Sequence, residues 1–163
     1  MLRARHRLAL ITALLVTACA ASNGPGPQQA SFPPGQRVTH SGDLTLEMSE
    51  AHYDLREVSV TVNLTNDGET PLRLERQGVL LAYGELEFPV TQSSAPELTE
   101  QTALAPGATQ QLELRFAIEQ PLLEAATLHV MSIHQGDDRW LEPMRLAVPP
   151  PAAFVELAQP NEE

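Results

Sequence analysis

The chain of 163 residues holds one cysteine and no lysine, and only 4% of it is aromatic. A lone cysteine cannot close an internal disulfide, so any folded part must be held by packing and hydrogen bonds alone. Long apolar runs are also missing. The uncharged stretch at residues 8–16 covers nine residues, far below the ~20 that a helix needs to cross a bilayer. Basic charge is scarce: ten arginines stand against 21 acidic residues, for a net charge of −11. Nucleic acid and anionic membrane surfaces would repel such a chain, so no nucleic-acid partner is expected. The sequence shows no Gly-rich phosphate loop, nucleophile elbow, metalloprotease helix or kinase set. Its Ser, His and Asp residues fall in no spacing that suggests a triad. A non-enzymatic protein without a cofactor is the expectation.

What is present begins with the N-terminal segment. Arg3, Arg5 and Arg7 precede the short apolar stretch, which leads into Val16-Thr17-Ala18-Cys19. A basic start, a short apolar core and small residues before a cleavage point mark an export signal rather than a spanning helix. This series of parts resembles a bacterial lipoprotein signal with its lipobox. The resemblance implies removal of residues 1–18 and acylation of Cys19, which becomes the new N-terminus and attaches the protein to a membrane. It further implies outer-membrane sorting, facing the periplasm, because Ala20 stands where an aspartate would retain the protein at the inner membrane. The alternative is an ordinary secretory peptide cut after Ala18 or Ala20. The mature part keeps seven basic and 21 acidic residues, a net charge of −14.

Residues 19–37 are rich in Pro, Gly, Gln and Ser, with Phe32 the only bulky apolar side chain. Such composition buries too little surface to offset its ordering entropy, so a flexible, lipidated tether is expected, spanning roughly 25 Å as a random coil. Residues 149–163 form a Pro-rich acidic tail in which Phe154, Val155 and Leu157 suit a turn docked on the domain or a short partner-binding peptide.

Between them, residues 38–148 carry period-two alternation. Leu44, Leu46 and Met48 alternate with polar residues, as do Val58, Val60, Val62 and Leu64, and again Leu112, Leu114, Phe116 and Ile118. This places each named set on one buried strand face. The Asn66-Asp67-Gly68 turn suggests positive φ at a tight reversal. Leu86, Phe88 and Val90 alternate around Pro89, which cannot donate to a ladder, so an edge strand is expected there. Pro143 suggests a bulge or a late strand start. Residues 121–126 alone look helical, with Pro121 at a first helical position. The sum is an all-β, antiparallel β-sandwich of about 7–8 strands with Ig-like topology, an eight-stranded barrel being the runner-up. The strand at residues 58–66, its turn, Pro71-Leu72, and Leu104-Ala105-Pro106-Gly107 before an alternating strand are similar to the telokin-like, immunoglobulin-type domains of small bacterial lipoproteins. That resemblance implies no shared catalytic residues.

The best metal candidates are His129, Met131 and Met144, with His134 nearby, since thioether and imidazole together suit Cu(I). Both methionines also suit core packing. Asp67, Glu69, Asp137 and Asp138 could offer oxygens to calcium, but turn chemistry explains Asp67 and Asp138 equally well. Glu85 and Glu87 share one face of a strand and read as a solvated edge. Trp140 and Tyr83 read as core or rim residues. The expected function is that of a cell-envelope lipoprotein acting as a protein-interaction or assembly module, with an envelope protein as partner. The alternative is a periplasmic small-ligand or metal-binding module, with copper the leading metal.

Overall fold

The computed structural model describes residues 26–93, 101–137 and 139–152, with only the backbone of Gln101. Cys19, the signal and most of the C-terminal tail lie outside these residues. The first layer is built from β1 (Gln28–Ser31), β2 (Val38–Ser41), β3 (Leu44–Tyr53) and β4 (Glu57–Asn66). After β4 the chain crosses to β5 (Leu72–Glu75), makes one 3₁₀ turn at Arg76–Gly78, and runs on as β6 (Val79–Tyr83) and β7 (Leu86–Ser93). Next come β8 (Gln101–Leu104), β9 (Thr109–Ala117), β10 (Ala126–Val130) and β11 (Ile133–Gln135). The described strands end with β12 (Arg139–Trp140) and β13 (Met144–Val148). The protein is all-β and antiparallel, with a sandwich-like core.

In the first layer β1 and β2 both pair with β3, β3 with β4, and β4 with β9. The second layer holds three strands interrupted near the middle, as β5/β6, β10/β11 and β12/β13, and a fourth position beside them. β6 pairs with β10 and β10 with β13, while β5 pairs with β11 and β11 with β12. The fourth position is filled by β7 beside β6 and β8 beside β5. Backbone hydrogen bonds carry the pairing across the break, from Met131 N–H to the Gly78 carbonyl at 2.7 Å and from Glu75 N–H to the Ser132 carbonyl at 3.2 Å. Ser132, at φ 54°, is the one non-glycine with positive φ among the described residues.

Each alternating run places its apolar members inward: Val58, Val60, Val62, Leu64, Leu112, Leu114, Phe116 and Ile118 are all buried. Their partners across the layers include Leu72, Leu81, Leu128, Ile133 and Met144. Strand propensity and a period of two thus suffice to specify the core.

Several expectations are corrected. Residues 121–126 form no helix; Leu122 is buried there and the segment leads directly into β10 at Ala126. Burial of one leucine outweighs the weak propensity of so short a run. β7 is no edge strand. Its first half pairs with β6, through Leu80↔Pro89, and its second half pairs with β9 from Val90 onward. Pro89 sits at the changeover, where the missing N–H is tolerated because each half of β7 has a single partner. Gly68 lacks positive φ; the turn is held instead by the Asn66 side chain, whose Oδ1 accepts from Gly68 N–H at 3.1 Å.

Part of the expected tether is folded. β1 pairs with β3 from Gln28↔Tyr53 to Ser31↔Glu50, Phe32 N–H donates to the Ser49 carbonyl at 2.8 Å, and the Phe32 ring packs on the core. This pairing uses the main chain, so it needs no apolar alternation. The folded unit therefore extends beyond residues 38–148 at both ends, because Pro151 is buried too. Pro143 does mark a late strand start, with β13 beginning at Met144.

Tyr53 closes this end of the molecule. It is 1% exposed and its hydroxyl donates to the Pro149 carbonyl at 2.6 Å. Burial pushes the phenol up to about 12, with the nearby Arg37 charge pulling weakly the other way. The folded state thus favours the neutral phenol. Its contribution is complete below pH 10 and is lost as pH rises from 10 through 12, a loss of about 3 kcal/mol if the full shift is expressed. Urea unfolding from pH 9 to pH 12 is expected to show this decline, and Tyr53→Phe is expected to flatten it. An equal decline in Tyr53→Phe would assign the alkaline sensitivity elsewhere.

Candidate functional site

The outer face of the β12-β11-β5-β8 sheet gathers the most unusual side chains. Leu72, Leu74 and Ile133 point into the core, which turns Arg73, Glu75 and His134 outward. His134 pairs across the ladder with Arg73 on one side and Trp140 on the other. The sole tryptophan, read as core or rim, is instead 60% exposed. Its ring lies 3.6 Å from that of His134, tilted by 44°. On the other side of His134, Nε2 lies 3.3 Å from Glu75 Oε1. The Gln77 amide donates to Glu75 Oε2 at 2.8 Å and, with the adjacent His134, holds the Glu75 carboxyl below its usual range. Arg73 Nη2 donates to the Gly136 carbonyl at 3.0 Å, in the β11–β12 turn. An exposed indole with a fixed imidazole behind it offers a rigid, amphipathic contact surface of the kind enriched in binding hot spots. Sequence reasoning missed this face because a lone tryptophan gives no sign of its direction until the strand register is known.

The proposed copper set does not converge. Val130 and Met144 face each other across β10 and β13 and are both 1% exposed, so Met144 belongs to the core. His129 pairs with Arg145 on the opposite face. Alternation along β10 separates the two by construction. Met131 lies past the end of β10, in the break of the second layer, where its N–H bonds to Gly78. His134 is engaged elsewhere, by Glu75 and Trp140. Among the described residues no three His, Cys, Asp or Glu side chains group to hold a metal.

Two clefts are lined by the described residues. One, of about 10 Å³, lies between the layers among Leu44, Leu64, Leu72, Leu104 and Ile133, with room for about one water. The other, shallow and about 140 Å³, lies beside Pro27, His52, Tyr53, Asp54, Glu57 and Ser59. Ordinary ligand pockets start near 300 Å³, so the exposed face is the better candidate.

No family model matches the chain, and no curated protein matches it by sequence. Among solved structures, the chain resembles YcdA, a candidate lipoprotein of Bacillus subtilis, with a TM-score of 0.55 and 12% identity over 74% of this chain. The match spans only 41% of that protein's length. The YjhA protein of Bacillus subtilis matches at TM-score 0.45 and 13% identity, over 57% of this chain and 76% of the other. A functionally unknown protein from Listeria monocytogenes matches at TM-score 0.47 and 9% identity, over 78% and 88%. The likeness to YcdA shows a shared β fold.

Proposed function

We propose that this protein is a non-enzymatic, lipid-anchored module of the cell envelope that binds a protein partner through its Trp140 face. Three things support the reading. The N-terminal sequence up to Cys19 has the parts of a lipobox signal. The fold is shared with a candidate lipoprotein, and the Ig-type, telokin-like layout belongs to the same proposal. The observation that carries most weight is polarity. The chain enters β1 at Gln28, opposite Tyr53, while Trp140 lies at the other pole, beyond the break of the second layer. Eight chain steps lead from Trp140 through β13 to Val148, a reach of up to roughly 25 Å at ~3.3 Å per residue. An anchor at one pole thus leaves the indole pointing away from the membrane, with outer-membrane attachment and a periplasmic face as the expected setting.

The test combines anchor and face. Metabolic labelling with a palmitate analogue is expected to mark the wild type and to fail with Cys19→Ser, which should leave the membrane fraction. Crosslinking in the native envelope is expected to recover a partner above a lipidated unrelated control. Trp140→Ala should weaken that recovery, since a tryptophan hot spot contributes about 2 kcal/mol, roughly thirtyfold in affinity. An unlabelled wild type removes the anchor, and recovery unchanged by Trp140→Ala removes the face.

A further inference from the structure

Of the four large hydrophobic side chains exposed among the described residues, Leu55 (44%), Leu86 (43%), Leu123 (37%) and Trp140, the three leucines share one pole. Strand register fixes this. Leu55 lies in the β3–β4 turn, and Ile118 N–H donates to the neighbouring Arg56 carbonyl at 3.0 Å. Leu86 opens β7 opposite Tyr83, and the Tyr83 hydroxyl accepts from Leu123 N–H at 3.2 Å. The three turns therefore adjoin one another around the ends of β4, β9, β7 and β6. The same pole receives the chain, because Gln28 pairs with Tyr53 and Pro27 lines the cleft beside Asp54 and Glu57.

We propose that this pole seats on the surface of the bilayer that holds the anchor, with the three leucines at the headgroup–acyl boundary. The inference rests on the lipidation of Cys19. Its main support is the length of chain left over. Since β1 begins at Gln28, only seven peptide steps join Cys19 to Gly26, at most ~25 Å when fully extended. A tether of 18 residues would let the domain stand clear; one this short keeps the leucine pole beside the headgroups. At such closeness the local concentration of bilayer is high, so even weak apolar contacts suffice to hold one orientation.

The flanking charges select the lipid. Leu55 lies between Asp54 and Arg56, Leu86 between Glu85 and Glu87, and Leu123 precedes Glu124, all of them exposed. Carboxylates beside each inserting leucine match the ammonium of ethanolamine headgroups and repel anionic lipid. This charge dependence is opposite to that of the usual interfacial helix, whose polar face is basic.

The sole tryptophan, Trp140, makes the wild type a built-in control for the far pole. The full-length lipoprotein, matured in a host envelope, would be reconstituted into phosphatidylethanolamine–phosphatidylcholine vesicles carrying brominated acyl chains. Leu123→Trp in a Trp140→Phe background places an indole at the proposed contact, and Leu55→Trp in the same background is the second reporter should the first fold poorly. Severalfold stronger quenching of either reporter than of wild-type Trp140, reduced when phosphatidylglycerol is added, is the expected result. Equal quenching at both poles, or none in protein that floats with the vesicles, overturns the seating while leaving the anchor in place. Crosslinks from Leu55, Leu86 and Leu123 to a protein in place of lipid overturn it as well. Failure of the wild type to float removes the anchor and this inference together.

Discussion

Asn66→Asp is expected to cost about 4 kcal/mol at neutral pH, although it exchanges a single NH₂ for an oxygen. Asn66 ends β4 and is fully buried. Its Nδ2 donates to the Thr70 carbonyl at 2.9 Å and to the Leu104 carbonyl at 3.1 Å, while Oδ1 accepts from Gly68 N–H. Its backbone N–H donates to the Ala108 carbonyl and its own carbonyl accepts from Gly107, both at 2.9 Å. The side chain thus ties the crossover from the first layer to β5 and the end of β8, while the backbone of the same residue holds the turn into β9. Aspartate keeps the shape and the Gly68 bond but turns two donors into an acceptor aimed at two carbonyl oxygens, with an unpaired buried charge in addition. Asn66→Ala leaves three backbone groups without a side-chain partner and is expected to cost about 2–3 kcal/mol, being smaller but unable to repel.

The two variants separate by pH. Burial raises the carboxyl of the aspartate variant, so its folded form prefers the proton. Its penalty is in force above the unfolded-state value of ~3.9 and is relieved as pH falls toward it, when the acid can again donate one hydrogen bond. Urea unfolding at pH 7 and pH 4 is the measurement. The aspartate variant should recover stability relative to wild type at the lower pH and the alanine variant should not. A loss under 1 kcal/mol for Asn66→Asp at pH 7 would show that the crossover is held by something else.

This residue also shows where sequence reading reaches its limit. The alternation of residues 58–64 and 112–118 was enough for the strands, their buried faces and the fold class, because one side of each strand must be dry. The Asn66-Asp67-Gly68 segment is legible as a turn, but its glycine lacks the positive φ that such a motif suggests. A Cβ on Gly68 would lie 2.5 Å from Asp43 Oδ2, so the position requires space rather than positive φ. Such a requirement arises from a distant residue and leaves no local signature. β1 is hidden in the sequence for a related reason: its pairing is main-chain and its neighbours are proline and glutamine, so no periodic face announces it. The break in the second layer was equally hidden, and with it the Trp140 face. The metal set failed on register. His129 and Met144 are close along the fold, yet they occupy opposite faces of adjacent strands.

Gly78→Ala is expected to be the other severe change, costing about 3 kcal/mol or more. Gly78 is buried at the end of the 3₁₀ turn, where β5 becomes β6. A Cβ there would stand 2.4 Å from the Met131 carbonyl oxygen, 2.8 Å from its carbon and 2.8 Å from Ser132 Cβ. Two of these three atoms are backbone and cannot rotate away, so β6 and β10 must separate and strain the 2.7 Å bond between Met131 N–H and the Gly78 carbonyl. Gly84→Ala is the informative comparison. Gly84 has φ 60° but nothing within 4 Å of an added Cβ, so it bears only the left-handed strain of about 1–2 kcal/mol. Ser132→Gly in the Gly78→Ala background removes one contact and the positive-φ strain of Ser132, and is therefore expected to restore part of the loss but not all. Chemical unfolding of the four proteins orders them, and Trp140 emission adds a second readout. The break at Gly78 and Ser132 aims the outer face of β11 and β12, so Gly78→Ala should shift that emission in the folded state while Gly84→Ala, at the opposite pole, should not. An unshifted emission with full loss of stability would mean that the break serves packing alone and does not orient the exposed indole.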